Sequence, residues 1–524
     1  MPQQQQYMQP REWLGEHDME KLKQGLDPKQ RGSEEQGTGP IDATNWTTFR
    51  HWALCFIVCN FNVDVGPEIE LLYPEDTPLS TADLSAICFN SFPERQDSDT
   101  TDDVTFHFNI RNHSPDISLS SPNRPYGSAD TLYGTVCFRQ EYDSTTKRRF
   151  NQKSLVCLSN HDFPAFFAKL LHISTENGFI SDPLKLQVAC SEMSSWPAPT
   201  VGSQELHFLG YLLGLEIPPH KAYPFQGLSS PASTGQYAYE PLGSWDCLLP
   251  HLASLTELYV VFEKLFLCES VIVLAKSPQL CSQLVSCLVD LLPPVPYAGT
   301  CKPYITMQSE FFAREKELPK HFLVGVTNPF LLKRLVTAAH SNGVIPHVVY
   351  LTDSPGPVPL KHQKSHRGHR QSGEHDIPGG IEAQEPTKRF LKSDDSFLDM
   401  LDLTLRNPDV TKAPIGPLVR RYFGELAGQI LAPLNRFLAS QMAVSPFSPG
   451  GNPHYANFSE ANFLSSLAKH GTTVKFRGQG PLQRHKMRDS FYSRFCQSAN
   501  FYSWIEMKTT LEREANAGML GGKS

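Results

Sequence analysis

The chain has 524 residues, a formal net charge of −7 at pH 7 and a pI near 6.3. That length exceeds what one core supports and points to about three domains, and the acidic balance argues against nucleic acid as the main partner. No apolar run reaches the roughly 18 residues a membrane span needs. The polar, Gln-rich start lacks a basic-then-apolar targeting pattern, so a soluble cytoplasmic protein without a transmembrane segment is expected.

Residues 1–45 are too polar to offset the entropy of ordering and are expected to be a disordered N-terminus. From 46 to 200 the pattern is an antiparallel α+β module. Residues 52–61 read as a buried strand, Asp64-Val65-Gly66-Pro67 as a turn and 69–73 as the hairpin partner. Ser80 or Thr81 caps a helix over 80–89. Val104, Phe106 and Phe108 alternate with polar neighbours, which predicts a half-exposed strand. Residues 112–127 are a loop. Two more strands, 132–139 and 154–158, bracket the basic turn Lys147-Arg148-Arg149 in a meander, and 163–171 is a short aromatic helix. Trp196-Pro197-Ala198-Pro199 is a stiff connector, since its prolines remove donors and hold the backbone extended. Cysteines 55, 59, 137, 157, 268 and 287 sit singly in apolar runs, and no Cys-x-x-Cys occurs. They read as reduced core thiols.

The stretch 201–352 carries the strongest pattern. Residues 206–217 lead into it, and 223–245 is a loop. Ser254 and Glu257 make a capping-box pair ahead of Leu258, Val261, Phe262 and Leu265. Val271-Ile272-Val273-Leu274-Ala275 and Phe322-Leu323-Val324-Gly325-Val326 show no alternation, which suits strands covered on both faces. Ser277 before Pro278, and Asn328 before Pro329, cap the helices that follow. The first helix presents Leu280, Leu284, Leu288 and Leu291 and stops at Pro293-Pro294. The second buries Phe330, Leu332, Leu335, Val336 and Ala339 and ends near Asn342-Gly343. With a third strand at 347–351, this is an open α/β sheet.

Residues 353–392 are expected to be a disordered insert. His362, His366, His369 and His375 lie there among Lys361, Lys364, Arg367 and Arg370. A solvated segment is favoured over a metal site, because nothing around it could orient ligands, and weak attraction to anionic membrane is a third reading. The module from 393 to 524 is helical, over 397–405, 418–442 and 463–467 and in a last pair holding Phe491, Phe495 and Trp504. Pro433 predicts a kink or break. Arg484, Lys486, Arg488 and Arg494 read as a solvated helix face.

Bond-making apparatus is missing. The chain has no P-loop, no Gly-x-Ser-x-Gly elbow, no His-Glu-x-x-His and no Gly-x-Gly-x-x-Gly after a strand. Two helix N-termini do stand at the sheet's carboxyl edge, where open α/β proteins bind ligands. Without glycines to admit a phosphate they read first as caps. Three modules so built suggest a surface that works on another protein.

Tyr133-Gly134-Thr135-Val136-Cys137-Phe138-Arg139-Gln140 followed by Phe150-Asn151-Gln152-Lys153-Ser154-Leu155-Val156 resembles the signature of the tripartite DENN domain. Trp196-Pro197-Ala198-Pro199, Gly325-Val326-Thr327-Asn328-Pro329-Phe330 and Leu418-Val419-Arg420-Arg421-Tyr422-Phe423 are similar to segments of the DENN domain-containing protein 6 family. Phe495, Ser498, Asn500, Phe501 and Trp504 resemble that family's C-terminal aromatic motif, with Ala499 standing where proline is expected. The resemblance covers about residues 52–514. It implies a longin-like N-terminal module, a central α/β module and a helical C-terminal module. It further implies guanine nucleotide exchange on a Rab GTPase, usually at recycling endosomes, with peripheral membrane association and no cofactor of the chain's own.

The residues singled out for Rab contact are Asn328, Pro329 and Phe330 at the loop-to-helix junction, Trp196 and Pro197 at the module junction, and Tyr73 at a hairpin end. The alternative for each is fold maintenance. Asn328→Ala with Phe330→Ala is expected to impair exchange and spare thermal stability. A non-catalytic Rab adaptor or effector is the second functional reading, and it would prefer the GTP-bound partner.

Overall fold

A computed structural model of the chain describes residues 44–62, 64–94, 103–114, 130–144, 150–222, 235–312, 318–352, 389–407, 414–443 and 458–521. The expectations for residues 1–43, for most of the 112–127 loop, for the basic turn at 147–149 and for the His-rich stretch at 353–388 therefore lie outside the described residues.

The first sheet is built from alternating side chains. Helix α1 (Trp46–Phe49) leads into the hairpin of β1 (Cys55–Asn62) and β2 (Gly66–Tyr73), then α2 (Thr81–Asn90). The Ser80 hydroxyl accepts the Asp83 N–H at 3.1 Å, and the Asp83 carboxylate reaches back to the Ser80 amide, a reciprocal cap. Strands β3 (Val104–Arg111), β4 (Thr131–Tyr142) and β5 (Phe150–Ser159) complete an antiparallel sheet of order β2-β1-β5-β4-β3. This is not the simple meander expected, because β1 pairs with β5 and sends β2 and β3 to opposite edges. Phe56 and Val58 point into one core while Cys55, Ile57 and Cys59 point into the other. Helices α3 (Pro164–Glu176) and α4 (Leu186–Met193) cover the first face, and α2 covers the second. Strand β3 is consequently not half-exposed. Phe106, His107 and Phe108 are all buried.

Two signature segments explain themselves here. A Cβ on Gly134 would lie 2.4 Å from the Phe108 ring, so the cross-strand ring needs glycine opposite it. The Gln152 side-chain amide donates to the Gln140 side-chain oxygen at 2.8 Å inside the sheet.

Residues 206–217 become a hairpin, β6 (Gly202–Phe208) and β7 (Tyr211–Ile217), joined by a short strand β8 (Gly235–Tyr237) within the stretch expected to be loop. Leu206, Phe208, Leu213, Leu215 and Ile217 pack with Trp52, Phe166 and Trp196 and so enlarge the core of the first sheet.

Next come α5 (Trp245–Leu248), α6 (Glu257–Phe266), β9 (Val271–Leu274), α7 (Pro278–Val289), β10 (Thr300–Lys302), β11 (Phe322–Val326), α8 (Pro329–Ser341) and β12 (His347–Tyr350). The four strands are parallel in the order β10-β11-β9-β12. The Ser277 hydroxyl accepts the Leu280 N–H at 3.3 Å as expected. The Ser254–Glu257 capping box is not the cap of α6. That helix starts at Glu257 with Thr256 in the cap position, and the Ser254 hydroxyl accepts the Thr256 N–H. The Glu257 carboxylate instead meets the His347 ring at the start of β12.

The helices α9 (Asp395–Arg406), α10 (Ile415–Ala443), α11 (Glu460–His470), α12 (Pro481–Cys496) and α13 (Ala499–Gly521) follow. Of the kink or break expected at Pro433, the break does not occur: helix α10 is continuous there, with Ile430, Leu431 and Leu434 held in the core. These helices share one continuous core with α6 and α7. Arg420 pairs with Asp290 at 2.5 Å, the Tyr422 ring stacks on Phe397 at 3.7 Å, and the Tyr422 and Tyr259 hydroxyls are hydrogen-bonded.

Candidate partner-binding surface

The carboxyl edge of the parallel sheet is assembled by close backbone approach. A Cβ on Gly325 would stand 2.2 Å from the Pro303 carbonyl oxygen, so only glycine lets the chain after β10 cross β11 there. The Ile305 N–H then donates to the Gly325 carbonyl at 3.0 Å. This crossing delivers Tyr304 into the core of the first sheet, edge-on to Phe106 with ring centroids 5.5 Å apart.

The Tyr304 hydroxyl accepts the Glu94 N–H at 3.1 Å, and the Glu94 carboxylate accepts the Met307 N–H at 2.5 Å. The Asn328 side chain stands near the same carboxylate. Burial pushes the Glu94 carboxyl above the ordinary value, and the Met307 bond and the Asn328 side chain pull it partly back. Farther along the same seam, the Asn109 amide donates to the Cys301 carbonyl at 2.9 Å, and the Lys302 ammonium donates to the Asn109 carbonyl at 3.1 Å. The edge strand β3 and the edge strand β10 thus lie side by side, bonded through side chains. Glu94 ties the first sheet to the chain that follows β10.

At that loop the Asn328 side-chain oxygen accepts the Phe330 N–H at 3.0 Å, and Pro329 occupies the first helical position. Leu331, Leu332, Leu335, Val336 and Ala339 face the sheet. Phe330 does not join them, contrary to the helical reading. It is 80% exposed, since Leu331 takes the inward position one residue later.

The six singled-out residues do not meet in one place. Asn328 and Pro329 are half-buried beside exposed Phe330. Trp196 is only 3% exposed. Its ring packs edge-on to Trp52 at 5.5 Å, and its indole N–H donates to the His207 carbonyl at 2.7 Å. The Trp52 indole N–H donates to the Pro197 carbonyl at 2.8 Å. Tyr73 is half-buried with its ring edge-on to Trp46, and burial pushes its hydroxyl up. Trp196 and Tyr73 pack into the core on the face of the first sheet opposite the one Tyr304 enters. Their packing is that of fold maintenance. Glu94 and Tyr304, which create the edge, were not singled out, and no local pattern marks them: each acts only across the seam.

Among the described residues no helix is long and apolar enough to cross a membrane. No protein-family model matches the chain. The chain is similar to the protein DENND6B of Homo sapiens, 29% identical over 511 residues, covering 89% of this chain and 80% of the relative. It is 27% identical over 492 residues to the protein DENND6A of Gallus gallus, covering 88% and 80%. It is 24% identical over 539 residues to the DENND6 homolog of Dictyostelium discoideum, covering 88% and 71%.

Proposed function

We propose, from this likeness to the DENND6 proteins over most of its length, that the chain is a member of the DENN domain-containing protein 6 family and promotes GDP release and GTP loading on a Rab GTPase. The observation that carries this reading is Phe330, a large exposed aromatic at the carboxyl edge, its amide held by Asn328 beside the seam where two sheets are bonded together. An exchange factor forms no covalent bond. It binds the nucleotide-free GTPase more tightly than the GDP-loaded one and so lowers the barrier to GDP release. Such work needs a rigid platform and an apolar anchor that displaces a switch segment from Mg²⁺ and phosphate. Phe330 supplies the anchor, and the Asn328 cap holds its amide. The antiparallel first module supports the longin-like part of the reading. Work in the cytoplasm and at recycling endosomes, with peripheral membrane association, belongs to the same proposal.

The test incubates the purified chain with a panel of Rab proteins loaded with fluorescent GDP. Accelerated release from at least one of them is expected. If no Rab releases faster, and binding favours the GTP form, the chain is an adaptor and the exchange reading is lost.

A further inference from the structure

The chain before α9 pairs with the chain before α12. The Lys392 N–H donates to the Lys475 carbonyl at 2.9 Å and the Arg477 N–H to the Phe390 carbonyl at 2.8 Å, a short antiparallel ladder around Leu391 and Phe476. Its end brings Arg389 and Arg477 together. With Gly478, Gln479, Gln483 and Met487 they line a cavity of about 300 Å³ in which no lining residue is acidic. Burial lowers the pKa of the Arg389 guanidinium, and the Arg477 charge lowers it further, with the carboxylates of Glu263 and Glu257, which are not among the cavity's lining residues, and Tyr259 acting the other way. Two cations sharing one small cavity repel unless an anion comes between them. The volume is that of a small ligand site.

The rim extends this chemistry. Lys392, Lys475, Arg484 and Lys486 are exposed, on a chain whose net charge is −7. Gly478, at φ +148°, lets the loop close onto α12, since a Cβ there would lie 2.8 Å from the Arg484 nitrogen. In the first turn of α12, Leu482 is 87% exposed. A bare leucine followed in the same helix by exposed Arg484 and Lys486 gains nothing in water. It gains free energy at the headgroup level of an anionic bilayer, where each nearby cation adds to the attraction.

We propose that this face docks on an anionic membrane, the Arg389–Arg477 cavity receiving a phosphate of a phosphorylated inositol lipid while Leu482 enters the interface. The site needs no GTPase and stands whether or not the exchange reading does. It is tested by co-sedimenting the full chain with phosphatidylcholine vesicles, with and without phosphatidylinositol bisphosphate, and by titrating soluble inositol trisphosphate and inorganic phosphate.

The chain should pellet only with the phosphoinositide vesicles, and Arg389→Ala with Arg477→Ala should weaken that binding about ten-fold or more. Leu482→Ser should weaken vesicle binding and leave inositol trisphosphate binding unchanged, which separates a lipid surface from a free phosphate. Should the double variant fail to fold, Arg477→Glu alone, at an exposed position, must abolish binding. Equal sedimentation with both vesicle types, or full binding by Arg477→Glu, overturns the proposal. Binding of inositol trisphosphate or inorganic phosphate with no vesicle binding overturns its membrane part.

Discussion

At Asn328 the side chain accepts the Phe330 amide proton, whereas the Phe330 ring touches mainly solvent. The two substitutions should therefore separate, and pairing them would confuse cap loss with anchor loss. Asn328→Ala removes a helix cap and should cost about 1 kcal/mol, read as a lower unfolding midpoint. Phe330→Ala should leave the midpoint unchanged and slow GDP release about ten-fold or more, as loss of a central aromatic anchor does.

A second residue-scale effect concerns Glu263. Its carboxylate accepts the Phe390 N–H at 2.9 Å and the Leu391 N–H at 2.7 Å. Burial raises its pKa from 4.5 to about 7. Between those values the folded chain binds a proton that the unfolded chain has released, so stability from this group is full below the lower value and falls as pH rises through the upper one. The loss should approach about 3 kcal/mol between roughly pH 4.5 and pH 8. Denaturant unfolding across that range, in wild type and Glu263→Gln, checks it: the variant should show a flatter dependence.

At the scale of elements, the C-terminal aromatic motif is a splice between helices. Asn500 is completely buried. Its amide donates to the Leu265 carbonyl at 2.8 Å and the Phe266 carbonyl at 3.2 Å, at the end of α6, and its oxygen accepts the Ala298 N–H at 2.8 Å. Asn500→Ala leaves those groups without partners and should destabilise by about 2 kcal/mol, measurable by urea unfolding. Ala499 is the first residue of α13, a position where proline loses no hydrogen bond, so alanine fits equally well. Helix α10 continues through Pro433, where buried Ile430, Leu431 and Leu434 on both sides of it anchor the helix in the core.

For the whole molecule, the seam between the sheets matters most. Tyr304 is borrowed by the first core from the second module's chain, so removing it should uncouple the two. Tyr304→Ala should cost about 3 kcal/mol or more, as large buried rings do, and should split one calorimetric transition into two. A single transition shifted as a whole would mean that Asn109, Lys302 and Glu94 suffice to couple the sheets. The helical C-terminal part behaves differently. It shares its core with α6 and α7, so deleting residues 389–524 should expose Leu258, Phe262 and Phe266 and yield aggregated protein rather than a shorter stable one, as size-exclusion chromatography would report.

The parallel sheet is legible in the chain alone because its cause is local. Unbroken apolar runs at 271–274 and 322–326 require cover on both faces, and Ser277-Pro278 and Asn328-Pro329 carry their own capping chemistry. The hairpin of β1 and β2 and the cap of α2 are legible for the same reason. What depends on distant partners is not. The docking of β1 against β5, the burial of Phe106 and the role of Glu94 each depend on a segment remote in sequence. The same holds for the cavity of Arg389 and Arg477, whose two arginines are 88 positions apart in the chain and meet through a ladder of backbone hydrogen bonds. Propensity and capping act over a few residues, but a surface is decided by which side chains the packed core leaves outside.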